Sequence, residues 1–187
     1  MSGAAQSTWF STPTNDSVNA GPVDVICKDF NGDGFIDLAS ASYNSNQVSI
    51  LLGSGSGTFG SPTNFAVGTN PQGIISMDFN GDGKLDIATA NNNSGNISVI
   101  LGNGVGSFGP AASFTTGSQP ISLTSADFDL DGDMDIAVAN SNTSFITVLR
   151  GSGVGTFTTL AQYPTGLAPC SITKSDFTFP NWVAIIK

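Results

Sequence analysis

Histidine and glutamate are both absent from the 187-residue sequence, and lysine and arginine together number only five. Without histidine or glutamate, the chain cannot form a Ser-His-Asp triad, a Cys-His pair or a catalytic pair of glutamates. Five cations provide no electrostatic basis for binding nucleic acid. The composition therefore predicts a protein that is not an enzyme and does not bind nucleic acid.

Long apolar runs and long runs of helix-forming residues are also missing. No segment approaches the roughly 20 apolar residues of a transmembrane helix, and the opening MSGAAQSTWF lacks the basic and apolar regions of a signal peptide. Glycine (23 residues), serine, threonine and asparagine recur throughout, which favours short strands joined by many turns. We therefore expect an all-β protein without a membrane span.

Cysteine is scarce, since only Cys27 and Cys170 are present. Small disulfide-stapled domains usually contain more cysteine than this. The two residues could form a disulfide or stay buried as small apolar side chains, and the sequence leaves both possibilities open.

A 49-residue repeat runs through the chain. Asp-Phe pairs begin at positions 29, 78, 127 and 176, and prolines (22, 71, 120, 169) and phenylalanines (10, 59, 108, 157) keep the same interval. The sequence therefore divides into residues 1–9 as the end of a preceding unit, repeat 1 (10–58), repeat 2 (59–107), repeat 3 (108–156) and a partial repeat 4 (157–187).

Each full repeat contains four segments with the pattern of a short strand. Four strands in about 40 to 50 residues is the size of one β-propeller blade. In the second strand of repeat 2, Leu85 and Ile87 alternate with Ala88 and Ala90, so one face is large and the other small. We predict that the large face of each blade packs on the alanine face of its neighbour. A β-sandwich is the alternative, but it has no reason to repeat at a constant interval.

An aspartate-rich loop lies at the same point of each full repeat. The loops read DFNGDGFID, DFNGDGKLD and DFDLDGDMD, with side-chain oxygens at positions one, three, five and nine and a main-chain carbonyl at position seven. Calcium takes about six to eight oxygen ligands at about 2.3–2.6 Å, which a tight loop with this spacing can supply. The predicted ligands of three Ca²⁺ ions are Asp29, Asn31, Asp33, Phe35 (carbonyl), Asp37, Asp78, Asn80, Asp82, Lys84 (carbonyl), Asp86, Asp127, Asp129, Asp131, Asp133 (carbonyl) and Asp135.

Three other interpretations of these loops are weaker. An EF-hand needs a glutamate at position twelve, where this chain has Ser40, Thr89 and Val138. Metal-free Asx turns need only one or two such residues, whereas each loop brings three or more carboxylates together, whose repulsion opposes folding without a cation. Magnesium demands tighter octahedral geometry and usually keeps several waters.

The charge balance supports a metal. All fourteen acidic residues are aspartate, and most of them lie in the three loops, so three Ca²⁺ ions would change the formal charge from −9 to about −3. The partial fourth repeat has Asp176 but lacks the remaining ligands, so we predict no ion there.

The loops, together with the turns GSGSGTFG and GNGVGSFG, make the sequence similar to the FG-GAP/VCBS repeat family over nearly its whole length. The resemblance implies propeller blades in which the loop joins the innermost strand to the second strand and holds Ca²⁺. It also implies a role outside the cell or on its surface. Family propellers usually close with about seven blades, so the three full units predict open blade edges that a larger propeller, an oligomer or a filament of this chain would cover.

Two functions remain open at the level of sequence. The first is a structural or adhesive module that binds a protein partner or another copy. The second is a lectin-like module that binds a glycan between blades, although its candidate aromatic residues do not follow the repeat: Trp9, Trp182, Tyr43 and Tyr163. Four N-x-Ser/Thr sequons are expected in exposed turns, at Asn15, Asn92, Asn96 and Asn142.

Overall fold

The structure, a computed structural model, describes residues 18–174 and 183–186. These residues contain no helix, and so none that is long and apolar enough to cross a membrane. Their strands are, in chain order, β1 (Pro22–Lys28), β2 (Asp37–Ser42), β3 (Gln47–Leu51), β4 (Thr63–Ala66), β5 (Pro71–Met77), β6 (Asp86–Asn91), β7 (Asn96–Ile100), β8 (Ala112–Thr115), β9 (Pro120–Ala126), β10 (Asp135–Asn140), β11 (Phe145–Gly151), β12 (Phe157–Pro164), β13 (Ser171–Lys174) and β14 (Val183–Ile186).

The strands form three antiparallel sheets of four, in which each strand pairs with the next one along the chain. We call them blade 1 (β1–β4), blade 2 (β5–β8) and blade 3 (β9–β12). Strands β13 and β14 pair in a partial blade. The fold class is therefore confirmed: the protein is all-β, with propeller-type blades of four strands.

The repeats and the blades have the same period but different starting points. Repeat 2, counted from Phe59 to residue 107, supplies β4 of blade 1 and then the first three strands of blade 2. Repeats 2, 3 and 4 thus each contribute their first strand to one blade and the rest to the next, which links neighbouring blades covalently. Phe10 and residues 1–9 lie outside the described residues.

Neighbouring blades pack large face on small face, as the strand pattern predicts. Ile87 of blade 2 lies in one buried core with Ala39 and Ala41 of blade 1. The next core repeats the arrangement between blades 3 and 2, with these residues: Ile136, Val138, Ala88 and Ala90. All seven side chains are fully buried, so the main cores lie between blades.

In blades 2 and 3, a phenylalanine just before or at the start of the fourth strand reaches into the preceding blade. Phe108 packs edge-on against Phe30 (5.8 Å between ring centroids) and Phe65 (5.3 Å) of blade 1. Phe157 makes the same contacts with blade 2, at 5.6 Å from Phe79 and 5.3 Å from Phe114. Edge-to-face pairs of this kind add to the energy of burial, so these rings join the blades near the aspartate loops.

The two cysteines are both exposed and are not joined by a disulfide. Cys27 lies in β1, and Cys170 directly precedes β13. The cohesion of the blades therefore comes from their apolar faces and the polar contacts described below.

Candidate metal centres

Each aspartate loop joins the first strand of a blade to the second. We call them loop 1 (29–37), loop 2 (78–86) and loop 3 (127–135). The glycine at position six has a φ of +87° in Gly34, +79° in Gly83 and +96° in Gly132. A Cβ at any of these sites would meet nothing within 4 Å, so the backbone conformation, and not lack of space, requires glycine here.

The aspartate at position one accepts hydrogen bonds from the backbone of its own loop. Asp29 accepts from the N–H groups of Gly32 (2.7 Å) and Gly34 (2.8 Å). Asp78 repeats the pattern in loop 2, with Gly81 (2.8 Å) and Gly83 (2.7 Å). The hydrogen bond from Gly34 is the main cause that lowers the pKa of Asp29. Asp29 therefore stays charged at neutral pH, and the hydrogen bonds to Asp29 and Asp78 fold each loop around its first carboxylate.

The aspartate at position five accepts from the N–H of position seven. The distances are 2.8 Å from Phe35 to Asp33, 3.0 Å from Lys84 to Asp82 and 2.9 Å from Asp133 to Asp131. This backbone hydrogen bond is the largest cause that lowers the pKa of Asp82 and of Asp131. The loop thus holds a second anionic side chain in a fixed direction.

The aspartate at position nine is fully buried and is held at both oxygens. In loop 2, Asp86 accepts from Phe79 N–H (2.9 Å) and from Gly102 N–H (2.8 Å). Asp37 and Asp135 make the same pair of bonds, to the equivalent phenylalanine and glycine of their own blades. Burial raises the pKa of Asp86 and of Asp135, and the neighbouring carboxylates raise it further.

The carboxylates of loop 3 lie close enough together to share one ion. One oxygen from each of Asp127, Asp129 and Asp135 lies within 4.8 Å of the others. Ligands on opposite sides of a calcium ion are separated by about twice the Ca–O distance of about 2.3–2.6 Å, so this spacing fits calcium. Loops 1 and 2 have an amide, Asn31 or Asn80, at position three, where loop 3 has its third clustered carboxylate.

The side chain at position seven points onto a glycine of its own blade. A Cβ on Gly55 would lie 2.3 Å from the ring of Phe35, and one on Gly153 would lie 2.4 Å from a carboxylate oxygen of Asp133. Lys84 lies on Gly104 in the same way. The side chains are therefore occupied outside the loop, and the role of the three carbonyls as ligands stays a prediction.

Loops 1 and 2 are also held by the following blade. The N–H of Gly106 in blade 2 donates to the carbonyl of Phe30 in loop 1 (3.2 Å). The N–H of Gly155 in blade 3 donates to the carbonyl of Phe79 in loop 2 (3.1 Å). Each of these loops therefore lies against two blades. The segment around Asp176 lies outside the described residues, so the absence of a fourth ion there stays a prediction.

Sequence reasoning missed one residue of the site, Arg150. Its Nε lies 2.8 Å from Oδ2 of Asp129, and its Nη2 lies 2.6 Å from Oδ2 of Asp131. The equivalent positions of the other repeats are Leu52 and Leu101. A cation at a repeat position that otherwise carries leucine was a signal that the 49-residue alignment could have shown.

The residues present fit calcium as a donor set. Each loop offers oxygen ligands alone, and its position-nine carboxylate is buried beside further negative charge in loops 2 and 3. A hard cation with oxygen ligands satisfies both features. When bound, calcium would supply positive charge and a fixed geometry.

Solved structures share this fold at low sequence identity. A functionally unknown protein from Desulfotomaculum acetoxidans aligns with a TM-score of 0.64 and 18% identity, over 81% of this chain and 44% of that chain. BBS1N in complex with ARL6DN aligns with a TM-score of 0.58 and 14% identity, over 83% of this chain and 48% of that chain. This chain thus spans less than half the length of either structure. No curated protein matches it.

The family is identified by its repeat. The sequence pattern of the FG-GAP-like repeat matches residues 29–89 and 78–138. The two matches run from the start of loop 1 into β10 and cover more than half of the chain, including all three loops. The chain belongs to the FG-GAP-like repeat family.

Proposed function

We propose that the chain is a calcium-stabilised structural or adhesive module that acts outside the cell or on its surface. The observation that carries this proposal is the fully buried aspartate at position nine of every loop. A buried carboxylate beside other carboxylates opposes folding unless a cation pairs with it. One calcium ion in each loop supplies that cation. FG-GAP-like repeats are structural or adhesive modules and are typical of extracellular proteins, which supports the proposed role and location.

Calcium would act here by holding separate segments of one blade together. Asp86 begins β6 and bonds the backbone of Phe79 in loop 2 and of Gly102 beyond β7. An ion held by Asp86 and by the other carboxylates of the loop would therefore fix three parts of the blade together. We expect binding to raise the stability of the folded chain, because the ion binds the native loops and not the unfolded chain.

Thermal unfolding with and without calcium tests the proposal. At a calcium concentration 100-fold above Kd, each site contributes about 2.7 kcal/mol. Three sites together would raise Tm by more than about 10 °C for a chain of this size. Magnesium serves as the control cation and should give a smaller shift. An equal Tm in calcium and in EDTA would refute the proposal.

The number of ions is tested separately with Asp82→Ala. Asp82 is exposed, and its loss should abolish or weaken only the site in loop 2. Isothermal titration should then report two strong sites in place of three. A stoichiometry of three with unchanged affinity would show that Asp82 is not a ligand.

The proposal includes self-assembly through the face of blade 1 that packs on no other described blade. Val25 of β1 is 54% exposed, whereas its equivalent Ile74 is 3% exposed against blade 1. Ile36 is 57% exposed on the same blade. A further blade supplied by a second copy would bury these side chains as blade 1 buries Ile74. Light scattering in calcium should show oligomers or filaments, and a monodisperse monomer would exclude self-assembly.

A lectin-like function is the second candidate. A cleft of about 390 Å³ lies between the β6–β7 turn and the linker from blade 2 to blade 3, and it is lined by amide and hydroxyl side chains such as Asn93, Ser118 and Gln119. Groups of this kind can bond a neutral sugar. Tyr43 and Tyr163 do not line this cleft, while Trp9 and Trp182 lie outside the described residues. Binding on a glycan array in millimolar calcium would favour this candidate over the structural role.

The sequons differ in accessibility. Asn142 is exposed in the β10–β11 turn and donates one long hydrogen bond to Ser118 (3.4 Å), whereas Asn92 is buried and Asn96 accepts hydrogen bonds from both Asn91 and Ser94. Asn15 lies outside the described residues. Asn142 is therefore the described sequon best placed for modification.

A further inference from the structure

Loop 3 differs from loops 1 and 2 in the charge it carries. It has carboxylates at positions three and seven, Asp129 and Asp133, where loop 1 has Asn31 and Phe35. Loop 3 thus contains five aspartates within nine residues, while loop 1 contains three. Carboxylates this close raise one another's free energy when all are ionised. One calcium ion would neutralise only two of the five charges, so loop 3 has a larger need for cations than loop 1.

Arg150 supplies such a cation from within the chain. Its Nε is 2.8 Å from Asp129 Oδ2, and its Nη2 donates to Asp131 Oδ2 at 2.6 Å. Nε also donates to Asp131 Oδ2 at 3.1 Å. The guanidinium therefore contacts the carboxylates at positions three and five, which are two of the predicted ligands of loop 3. Charge-assisted bonds from a planar guanidinium are among the stronger polar contacts in proteins.

The fold does not require arginine at this position. The equivalent residues Leu52 and Leu101 lie against glycines of the following blade, Gly106 and Gly155, where an added Cβ would meet their methyl groups at 2.8 Å. In blades 1 and 2 this position therefore serves contacts between blades. In blade 3 the side chain turns to the loop of its own blade instead.

We propose that Arg150 is a tethered cation that holds loop 3 in its folded shape without calcium and competes with calcium for Asp129 and Asp131. This inference deepens the proposed calcium function and rests on it for the second half. Loop 3 is then the loop that stays ordered when calcium is removed, and it is the last of the three to fill. No arginine reaches loops 1 and 2 in the described part of the chain, and the cation near loop 2, Lys84, contacts one carboxylate, so their acidic side chains have less internal charge compensation without calcium.

The test uses Arg150→Leu, which installs the residue of the other repeats. Hydrogen exchange in EDTA follows the amides of residues 127–135, with residues 78–86 as the internal reference. We expect exchange in loop 3 to become about three- to tenfold faster, in line with the modest energy of a partly exposed ion pair. Isothermal titration with calcium should show one of the three sites binding about three- to tenfold more tightly.

Two further variants make the result specific. Leu167→Asp is the charge-matched control, because Leu167 is 85% exposed in the linker after β12 and the change lowers the net charge by the same unit. It should alter neither readout. Arg150→Lys keeps the charge but loses the planar guanidinium that contacts two carboxylates at once. It should give exchange rates and calcium affinity between those of the wild type and Arg150→Leu.

Each outcome decides the proposal or the function beneath it. Unchanged exchange of loop 3 in EDTA for Arg150→Leu would overturn the claim that Arg150 holds the loop. Weaker calcium binding by this variant would overturn competition and make Arg150 an organiser of the site. If the wild-type chain binds no calcium, the proposed function and the competition both fail, while the exchange in EDTA still decides whether Arg150 holds the loop.

Discussion

Loops 2 and 3 have the same backbone pattern but are stabilised from different directions. Loop 2 is held from outside, since Gly155 of blade 3 bonds the Phe79 carbonyl and the Phe79 ring packs on Phe157. Loop 3 is held from within its own blade, by Arg150. Phe79 is fully buried, whereas the equivalent Phe128 is only partly buried. Among the described residues, copies of one repeated motif thus take their support from different partners, the following blade for loop 2 and an arginine of the same blade for loop 3.

The largest effect is expected for Asp86→Ala in loop 2. The change leaves the N–H groups of Phe79 and Gly102 without their acceptor, removes a predicted calcium ligand and loosens the ring that packs on blade 3. We expect a loss of about 3–5 kcal/mol in the free energy of unfolding, measured by urea denaturation in calcium. Asp135→Ala in loop 3 likewise removes the acceptor of two N–H groups and a predicted ligand. Its neighbouring phenylalanine, Phe128, is less buried than Phe79, so this change should cost about 1 kcal/mol less. A larger loss for Asp135→Ala would reverse the comparison between the loops.

A smaller effect is expected when position three of loop 2, an asparagine, is changed to the aspartate that loop 3 has there. Asn80→Asp adds a carboxylate at position three without adding an arginine. In EDTA we expect the variant to lose about 0.5–1 kcal/mol of stability through repulsion from Asp78 and Asp82. In calcium we expect it to gain, because the ion now binds one more charged ligand. The matched change Asp129→Asn in loop 3 should act in the opposite sense in calcium. Equal Tm shifts of Asn80→Asp in calcium and in EDTA would show that position three does not face the ion.

Much of the fold follows from the sequence because it repeats. The period places four strands in each unit, and the alternation of Ile87 with Ala88 predicts which faces meet between blades. The three loops are recognisable for the same reason, since glycine at position six requires a positive φ at the sharp turn. These features depend on neighbours in the chain or on strict periodicity.

Contacts that cross a blade boundary could not be read in this way. The bond from Gly155 to Phe79 joins residues 76 positions apart, and nothing in either segment marks its partner. The second acceptor role of Asp86, toward Gly102, likewise depends on how β7 ends beside β6. Arg150 was accessible in principle, because the repeat assigns leucine to its position, but its direction depends on the pairing of β10 with β11.

The smallest effect is expected for Lys84→Ala, which removes an ordinary surface ion pair of loop 2 and so serves as the comparison for Arg150 in loop 3. Lys84 contacts Asp82 of loop 2 through Nζ at 3.3 Å, and each of the two side chains is more than a third exposed. A single-point ion pair in water contributes little to stability, so Lys84→Ala should shift Tm in EDTA by about 1–2 °C at most. Arg150→Leu should shift it more, because two carboxylates lose their partner at once. If Lys84→Ala destabilises the metal-free chain as much as Arg150→Leu does, any nearby cation suffices, and the contrast between loops 2 and 3 reduces to net charge.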